Sequence, residues 1–352
     1  MTRSSIIVIA GRRIGPDQPP YVVAEMSGNH NGELARALEI VAAAKEAGAD
    51  AVKLQTYTAD TITIDHDGPG FTVKGTLWEG RTLHDLYDEA HTPWEWHAPI
   101  FAKGAELGIP VFSSPFDATA VDFLEALDCP AYKIASFEMV DLPLIEKAAS
   151  TGKPLIISTG LASHAEIGEA IGAARKAGGR DPAVLHCISN YPTSPADCNL
   201  RAIPALAESF GTVVGFSDHT LGTAIAVAAV ALGASIIEKH LTLDRADGGP
   251  DAAFSLEPQE LATMIADCRA AFAARGDGGF KRPACEDGLA VFRRSLYVVE
   301  DMEAGESFTA ANVRSIRPGH GLPPKYLGDV LGRAAARNLK RGTPLSWDAV
   351  AR

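Results

Sequence analysis

The chain contains no run of ~18 or more consecutive apolar residues, the length a helix needs to cross a bilayer, so no transmembrane span is expected. Its opening stretch, MTRSSIIVIAGRR, has too short an apolar run and no small-residue cleavage site. No signal peptide is read there, and a cytoplasmic location is expected. Cysteine is scarce. The five residues, Cys129, Cys187, Cys198, Cys268 and Cys285, are scattered, odd in number and free of Cys-x-x-Cys spacing. That excludes a disulfide framework and fits reduced thiols. Positive charge is also short: 32 Lys and Arg face 44 Asp and Glu, for a formal net charge of −12. This balance argues against nucleic acid and anionic membranes as partners. An anionic ligand would need lysines or arginines gathered at one place. Finally, no Gly-x-Gly-x-x-Gly follows the first apolar run, which argues against an open dinucleotide-binding sheet.

What is present is an ordinary globular composition, 46% hydrophobic and 22% charged over 352 residues. The length suits one barrel plus a small module. Short apolar runs at 21–25, 51–55, 110–113, 131–134, 154–158, 183–187, 212–216 and 235–240 read as strands. Amphipathic stretches separate them. Residues 34–47 have a period near 3.6 and stop at Gly48. Thr92-Pro-Trp-Glu95 and Ser163-His-Ala-Glu166 read as capping boxes, and a last long helix is expected over 257–274. Eight strands, each followed by a helix, predict a closed parallel (β/α)8 TIM barrel over 1–280. KRPACEDG reads as a polar linker at 281–289, followed by a small β-rich domain at 290–352. That domain carries a faint repeat: Gly305-Glu-Ser-Phe-Thr309 before Val313 parallels Gly342-Thr-Pro-Leu-Ser346 before Val350.

In such a barrel, function gathers at the C-terminal ends of the strands. Those ends carry Glu25; Lys53 and Gln55; Ser113 and Ser114; Lys133, Ser136 and Glu138; Ser158 before Gly160; Ser189, Asn190 and Tyr191; Ser217 and His219; and Glu238 and His240, with Asp251 in the loop beyond. His219 and His240, on adjacent strands, are candidate ligands of a divalent metal. His30 reads equally as a ligand or as support for its own loop. Lys53 and Lys133 lie on strands that should be buried, where an ammonium needs a partner or an anionic ligand. A phosphate or carboxylate clamp is expected, with an ion pair such as Lys53–Glu25 as the alternative. Glu25 and Glu138 are candidate general acids or bases. Trp94 and Trp96 read as packing, while Trp78 is open to either role.

The stretches AEMSGNHNG, DAVKLQTYT, IISTG, CISNYPTS, GFSDHTLG, EKHLT and GGPDAAFS resemble the sialic acid synthase family, in order and across essentially the whole chain. RPGHGLP resembles the antifreeze-like SAF domain of that family. LQTYTADTIT, LWEGRTLHDLYDEAHTPWEWH and FSSPFD resemble its pseudaminic acid synthase branch more than its N-acetylneuraminate branch. Two departures from the neuraminate pattern lie at the site. CISNYPT stands where that branch has CTNIYPT, placing Ser189 at the Asn position and displacing Asn190 by one, and Ser114 replaces a Thr.

The resemblance implies an enzyme that condenses phosphoenolpyruvate with an N-acetylated amino sugar, foremost 2,4-diacetamido-2,4,6-trideoxy-L-altrose. It implies Mn2+, with Mg2+ or Co2+ as alternatives, on His219 and His240. It implies a phosphoenolpyruvate site at Lys53, Lys133, Ser136, Ser158 and Ser217. Glu25, Gln55, Glu138, Tyr191 and Asp251 fall at the sugar or the reacting centre. A swapped homodimer is implied too, with Arg317 of one copy reaching the sugar in the other. N-acetylneuraminate or N,N'-diacetyllegionaminate synthesis is the sibling alternative, and a non-catalytic sugar-binding protein is the rival from another class.

Overall fold

Alternating apolar runs and helical stretches become a closed ring in the computed structural model, which describes residues 6–75 and 77–351. The chain forms two units, Met1–Gly276 and Asp277–Arg352. The first opens with an antiparallel hairpin that periodicity did not announce, β1 (Ile7–Ile9) and β2 (Arg12–Ile14). Eight parallel strands follow: β3 (Tyr21–Glu25), β4 (Ala51–Thr56), β5 (Val111–Pro115), β6 (Tyr132–Ile134), β7 (Leu155–Ser158), β8 (Ala183–Cys187), β9 (Val214–Asp218) and β10 (Ile236–His240). Each pairs with the next, and β10 pairs with β3 to close the barrel. The strands are short, and every residue of seven of them is buried, as expected of a parallel sheet covered on its outer face by helices.

Helices Leu34–Glu46, Trp94–Leu107, His164–Lys176 and Pro258–Ala274 form part of the outer layer. The Ser163–Glu166 capping box forms as expected. The one expected at Thr92–Glu95 does not. The helix starts at Trp94 with Pro93 at the cap, a residue that has no side-chain acceptor to offer. Thr92 is instead buried, its hydroxyl unpaired. Between β4 and Trp94 the chain makes an excursion. It holds the short helices Ala59–Ile62 and Leu83–Ala90 and an antiparallel bridge between Thr72 and Thr82. No helix among the described residues is long and apolar enough to span a membrane.

In the second unit, 3-10 turns over Ala284–Phe292 occupy most of the stretch expected to be a plain linker. β11 (Ser295–Val298) and β12 (Val313–Ile316) pair antiparallel. Leu296, Val298, Phe308, Val313, Val330 and Leu345 form its own small core. The faint repeat is structural. Gly305 and Gly342 sit at φ +87° and +88°, and the apolar residues that follow them, Phe308 and Leu345, are both buried.

Candidate active site

Period-two alternation turns Lys53 and Glu238 to the barrel interior, beside Glu25 and Lys133 from neighbouring strands. They form one charge cluster. Lys53 Nζ lies 2.8 Å from Glu25 Oε2 and 3.9 Å from Glu238 Oε1, and it donates a hydrogen bond of 3.2 Å to Ser114 Oγ. Lys133 Nζ lies 3.7 Å from Glu238 Oε1 and donates to the Ile134 carbonyl at 3.3 Å. Ser217 Oγ donates to Glu238 Oε1 at 3.1 Å, across the β9–β10 register that sets these two residues side by side. Lys53, Lys133 and Glu238 are only 3%, 2% and 5% exposed, so water cannot solvate these charges.

The four groups shift one another in different directions. Burial alone would raise the pKa of Glu238, but Lys133 and Lys53 outweigh it and hold the carboxyl below its ordinary value. Burial dominates at Glu25 and pushes it up to about 7, with Lys53 opposing. Lys53 is raised, because Glu238 and Glu25 overcome its burial, while for Lys133 burial prevails over Glu238 and the pKa falls. Lys53 is thus held in its charged form beside an ionised Glu238, while burial works against the charge on Lys133. Two buried lysines converging on one carboxylate in a water-poor place offer counter-charges to an anion, whose arrival would favour the protonated form of Lys133. The ion-pair alternative from the sequence is present as well: Lys53 is paired with Glu25 and still belongs to the clamp.

Around this floor stand hydroxyls. Ser158 Oγ is buried without a partner, free to meet a ligand. Ser136 Oγ accepts from the Gly160 N–H at 3.2 Å. On the next strands, the rings of His219 and His240 lie 5.5 Å apart between centroids. His219 Nδ1 lies 2.9 Å from the Ile188 carbonyl, which can only accept, so Nδ1 carries a proton and Nε2 is the nitrogen left to meet a metal. Burial would lower the pKa of this ring, but Cys187 outweighs it and raises it, so a metal at Nε2 would have to displace a proton. His240 Nδ1 is buried with no partner. Burial first, and then the neighbouring His219, drives its pKa well below the ordinary value, so the imidazole is neutral. Among the described residues no group of three His, Cys, Asp or Glu could hold a metal ion. The donor set is an open pair of imidazoles, which fits a divalent ion that takes its remaining ligands from water and substrate.

Above the pair lies a cavity of about 430 Å3, reached by Gln55, Glu138, Ser189, Asn190, Tyr191, His240 and Asp251. Gln55 Nε2 donates to Glu25 Oε1 at 3.0 Å and to Ser27 Oγ at 3.1 Å. Ser27 Oγ donates in turn to Asp251, whose Oδ2 also accepts from Gly28 N–H at 3.3 Å. Burial raises Glu138 to about 7, and its Oε2 has no partner. The Tyr191 ring packs 4.3 Å from that of His219 and 5.2 Å from that of Phe254.

Residues 40–279 match the model of the NeuB family, and residues 293–351 match the SAF domain. The chain belongs to the NeuB family. A pseudaminic acid synthase of Helicobacter pylori is 44% identical over 95% of this chain and 99% of its own. One from Campylobacter jejuni is 43% identical over 94% and 96%. The crystal structure of the N-acetylneuraminic acid synthetase of Leptospira borgpetersenii, in complex with citrate, matches with a TM-score of 0.73 at 31% identity, covering 81% of this chain and 95% of that one.

Of the residues expected at the site of this NeuB-family chain, Glu25, Lys53, Ser114, Lys133, Ser217, His219 and His240 meet around the barrel mouth, with Gln55, Glu138 and Asp251 at the cavity. Asn190 is exposed and donates to the Pro192 carbonyl at 3.1 Å. Arg317 lies in the second unit with an exposed side chain. His30 serves its own loop: Nδ1 accepts from Gly32 N–H at 3.1 Å, and the ring packs edge-on against Trp96. Trp94 stacks on Phe123, as packing requires. Trp78 lines the cavity. Sequence reasoning noted Glu238 but gave it no role. The signal was available, since Glu238 stands two residues before His240 and so shares its face. Lys239, between them, points the other way and forms a fully buried pair of 3.0 Å with Asp218.

Proposed function

We propose that this chain is a pseudaminic acid synthase. It condenses phosphoenolpyruvate with 2,4-diacetamido-2,4,6-trideoxy-L-altrose to give pseudaminic acid and phosphate. The observation that carries the reading is the buried Lys53–Glu238–Lys133 cluster, two lysines converging on one carboxylate beside a cavity large enough for a sugar. Relatives named pseudaminic acid synthase at 44% and 43% identity support the choice of sugar.

Lys53, Lys133, Ser136, Ser158 and Ser217 hold the phosphate and carboxylate of phosphoenolpyruvate through charge-assisted hydrogen bonds. Tyr191, Gln55 and Asp251 orient the open-chain sugar above it. His219 and His240 would hold a divalent ion, Mn2+ foremost with Mg2+ or Co2+ as alternatives, and such an ion would supply Lewis acidity toward the aldehyde. Carbon 3 of phosphoenolpyruvate uses its double-bond electron pair to form the new bond to the aldehyde carbon, and the aldehyde oxygen takes a proton from solvent to become a hydroxyl, offset by the proton that water later gives up. The cation left at carbon 2 takes up water, whose proton passes to Glu25, poised near neutrality for that task. The carbon 2–oxygen bond to phosphate then breaks, and phosphate leaves. Glu138 meets the sugar hydroxyls. Holding both substrates in register removes up to roughly 7–11 kcal/mol of the barrier. In this reading the enzyme is a cytoplasmic homodimer, with Arg317 of a second copy reaching the sugar.

The test is phosphate release from phosphoenolpyruvate with Mn2+ and each sugar in turn. Release that requires the altrose sugar and stops with a chelator supports the reading. Release with N-acetylmannosamine alone makes this a neuraminate synthase. No release with any sugar returns a sugar-binding protein to first place.

A further inference from the structure

The cavity has two unlike sides. One is the polar barrel mouth. The other is supplied by the excursion after β4, which contributes the aliphatic Ile62, Val73, Leu83 and Leu86 together with Ala90 and the rings of Tyr57, Trp78 and Tyr87. Tyr57 is itself held edge-on by Phe116 and Tyr87 at 5.0 and 5.8 Å. The excursion is a built element. Val73 N–H donates to the Arg81 carbonyl at 2.8 Å, and Leu83 N–H donates to the Phe71 carbonyl at 2.8 Å, which pairs 71–73 with 81–83 as the two arms of a hairpin. Trp78 Nε1 then donates to the Pro250 carbonyl at 2.9 Å and fastens the hairpin to the loop that carries Asp251.

A ligand for such a cavity needs one face rich in hydroxyls and one group that asks for no hydrogen bond. The amide N–H and C=O of an acetamido substituent must find partners away from that wall. A methyl borne directly on the sugar chain needs none. We propose that the aliphatic wall of Ile62, Val73, Leu83 and Leu86 is the specificity element of the site and receives the C6 methyl of a 6-deoxy amino sugar. A sugar with a C6 hydroxyl would press that oxygen against four side chains with no donor or acceptor, leaving it unpaired. This inference rests on the reading under Proposed function and adds the group by which the sugar is chosen.

The experiment compares kcat/KM for the 2,4-diacetamido 6-deoxy sugar and its 6-hydroxy counterpart, with phosphoenolpyruvate saturating. The enzymes are wild type, Val73→Thr and Leu83→Gln. Wild type is expected to favour the 6-deoxy sugar by ~100-fold, the scale on which an apolar pocket rejects an added hydroxyl. Each variant places a polar group in the wall and should narrow that ratio by at least about fivefold, mainly through KM for the sugar. Val73→Thr keeps the β-branched shape, so it decides the matter should Leu83→Gln fail to fold. Ratios within about twofold of wild type in a folded variant, or a wild type that uses both sugars equally, overturn the wall and leave the reaction standing. A wild type that condenses neither sugar with phosphoenolpyruvate sinks the functional reading, and this inference with it.

Discussion

Glu238→Gln separates the two roles that its position combines. The carboxylate is the shared counter-charge of Lys133 at 3.7 Å and Lys53 at 3.9 Å, and all three are buried. Glutamine keeps the volume and can still accept from Ser217, so what is lost is the charge. Removing one partner of a buried ion pair costs about 3–5 kcal/mol, because the other charge stays behind. For a unit this size, ~3 kcal/mol lowers Tm by roughly 5 °C. The same change should strengthen anion binding. At an effective dielectric near 20, a unit charge ~4 Å away is worth about 4 kcal/mol, so even a third of it tightens binding by about tenfold. The assay is thermal unfolding with and without phosphoenolpyruvate at pH 6.5. The expected outcome is a lower Tm for the free variant, a larger phosphoenolpyruvate-induced rise than in wild type, and a large loss of kcat. A free-variant Tm within 2 °C of wild type, with an unchanged ligand shift, refutes the charge count of the floor.

The raised pKa of Glu25 gives the rate an acidic limb. Turnover should climb with pH through about 7 as Glu25 becomes a base, and Glu25→Gln should flatten the limb as well as lower kcat. Glu138 is the converse case for stability. Its folded pKa of about 7 exceeds the ordinary carboxyl value, so the folded state binds the proton more tightly, and its contribution to stability falls as pH rises from about 4.5 to about 7. Glu138→Gln should therefore raise Tm at pH 8 and change it little at pH 4.5 or below, while slowing the reaction. Melting curves at the two pH values check the sign. At Gly160, an added Cβ would run into Ser189 Oγ and approach Ser136 Oγ to 2.7 Å. Gly160→Ala should therefore cost at least about 100-fold in kcat/KM while the far-ultraviolet spectrum stays native.

The barrel was legible because apolar runs and helical stretches alternate eight times, and the runs at 21–25 and 183–187 even keep their bounds. The run expected at 212–216 moved to Val214–Asp218. A strand buried on both faces has no polar alternation to mark its register, so the apolar letters drew the boundary too early and left Ser217 outside. In the structure Ser217 is in the ladder, opposite Glu238. The lysines and histidines of the site were readable because such residues rarely lie on buried strands without a task. Glu238 was obscured by Lys239 beside it, one lysine among three whose partners the sequence does not distinguish. The aliphatic wall was beyond sequence reasoning altogether. Ile62, Val73, Leu83 and Leu86 are spread over an excursion with no single period, and only the hairpin bonds and the Trp78–Pro250 hydrogen bond bring them to one side of a cavity.

The central claim is that carbon 3 of phosphoenolpyruvate becomes bonded to the sugar aldehyde carbon at this site. The direct measurement is carbon NMR of the products formed from phosphoenolpyruvate labelled at carbon 3 and the diacetamido altrose sugar. The account predicts that the label appears as a methylene coupled to the former aldehyde carbon in a nine-carbon acid. Label found only in the methyl group of pyruvate, with the sugar unchanged, would mean simple phosphate ester hydrolysis and would contradict the account.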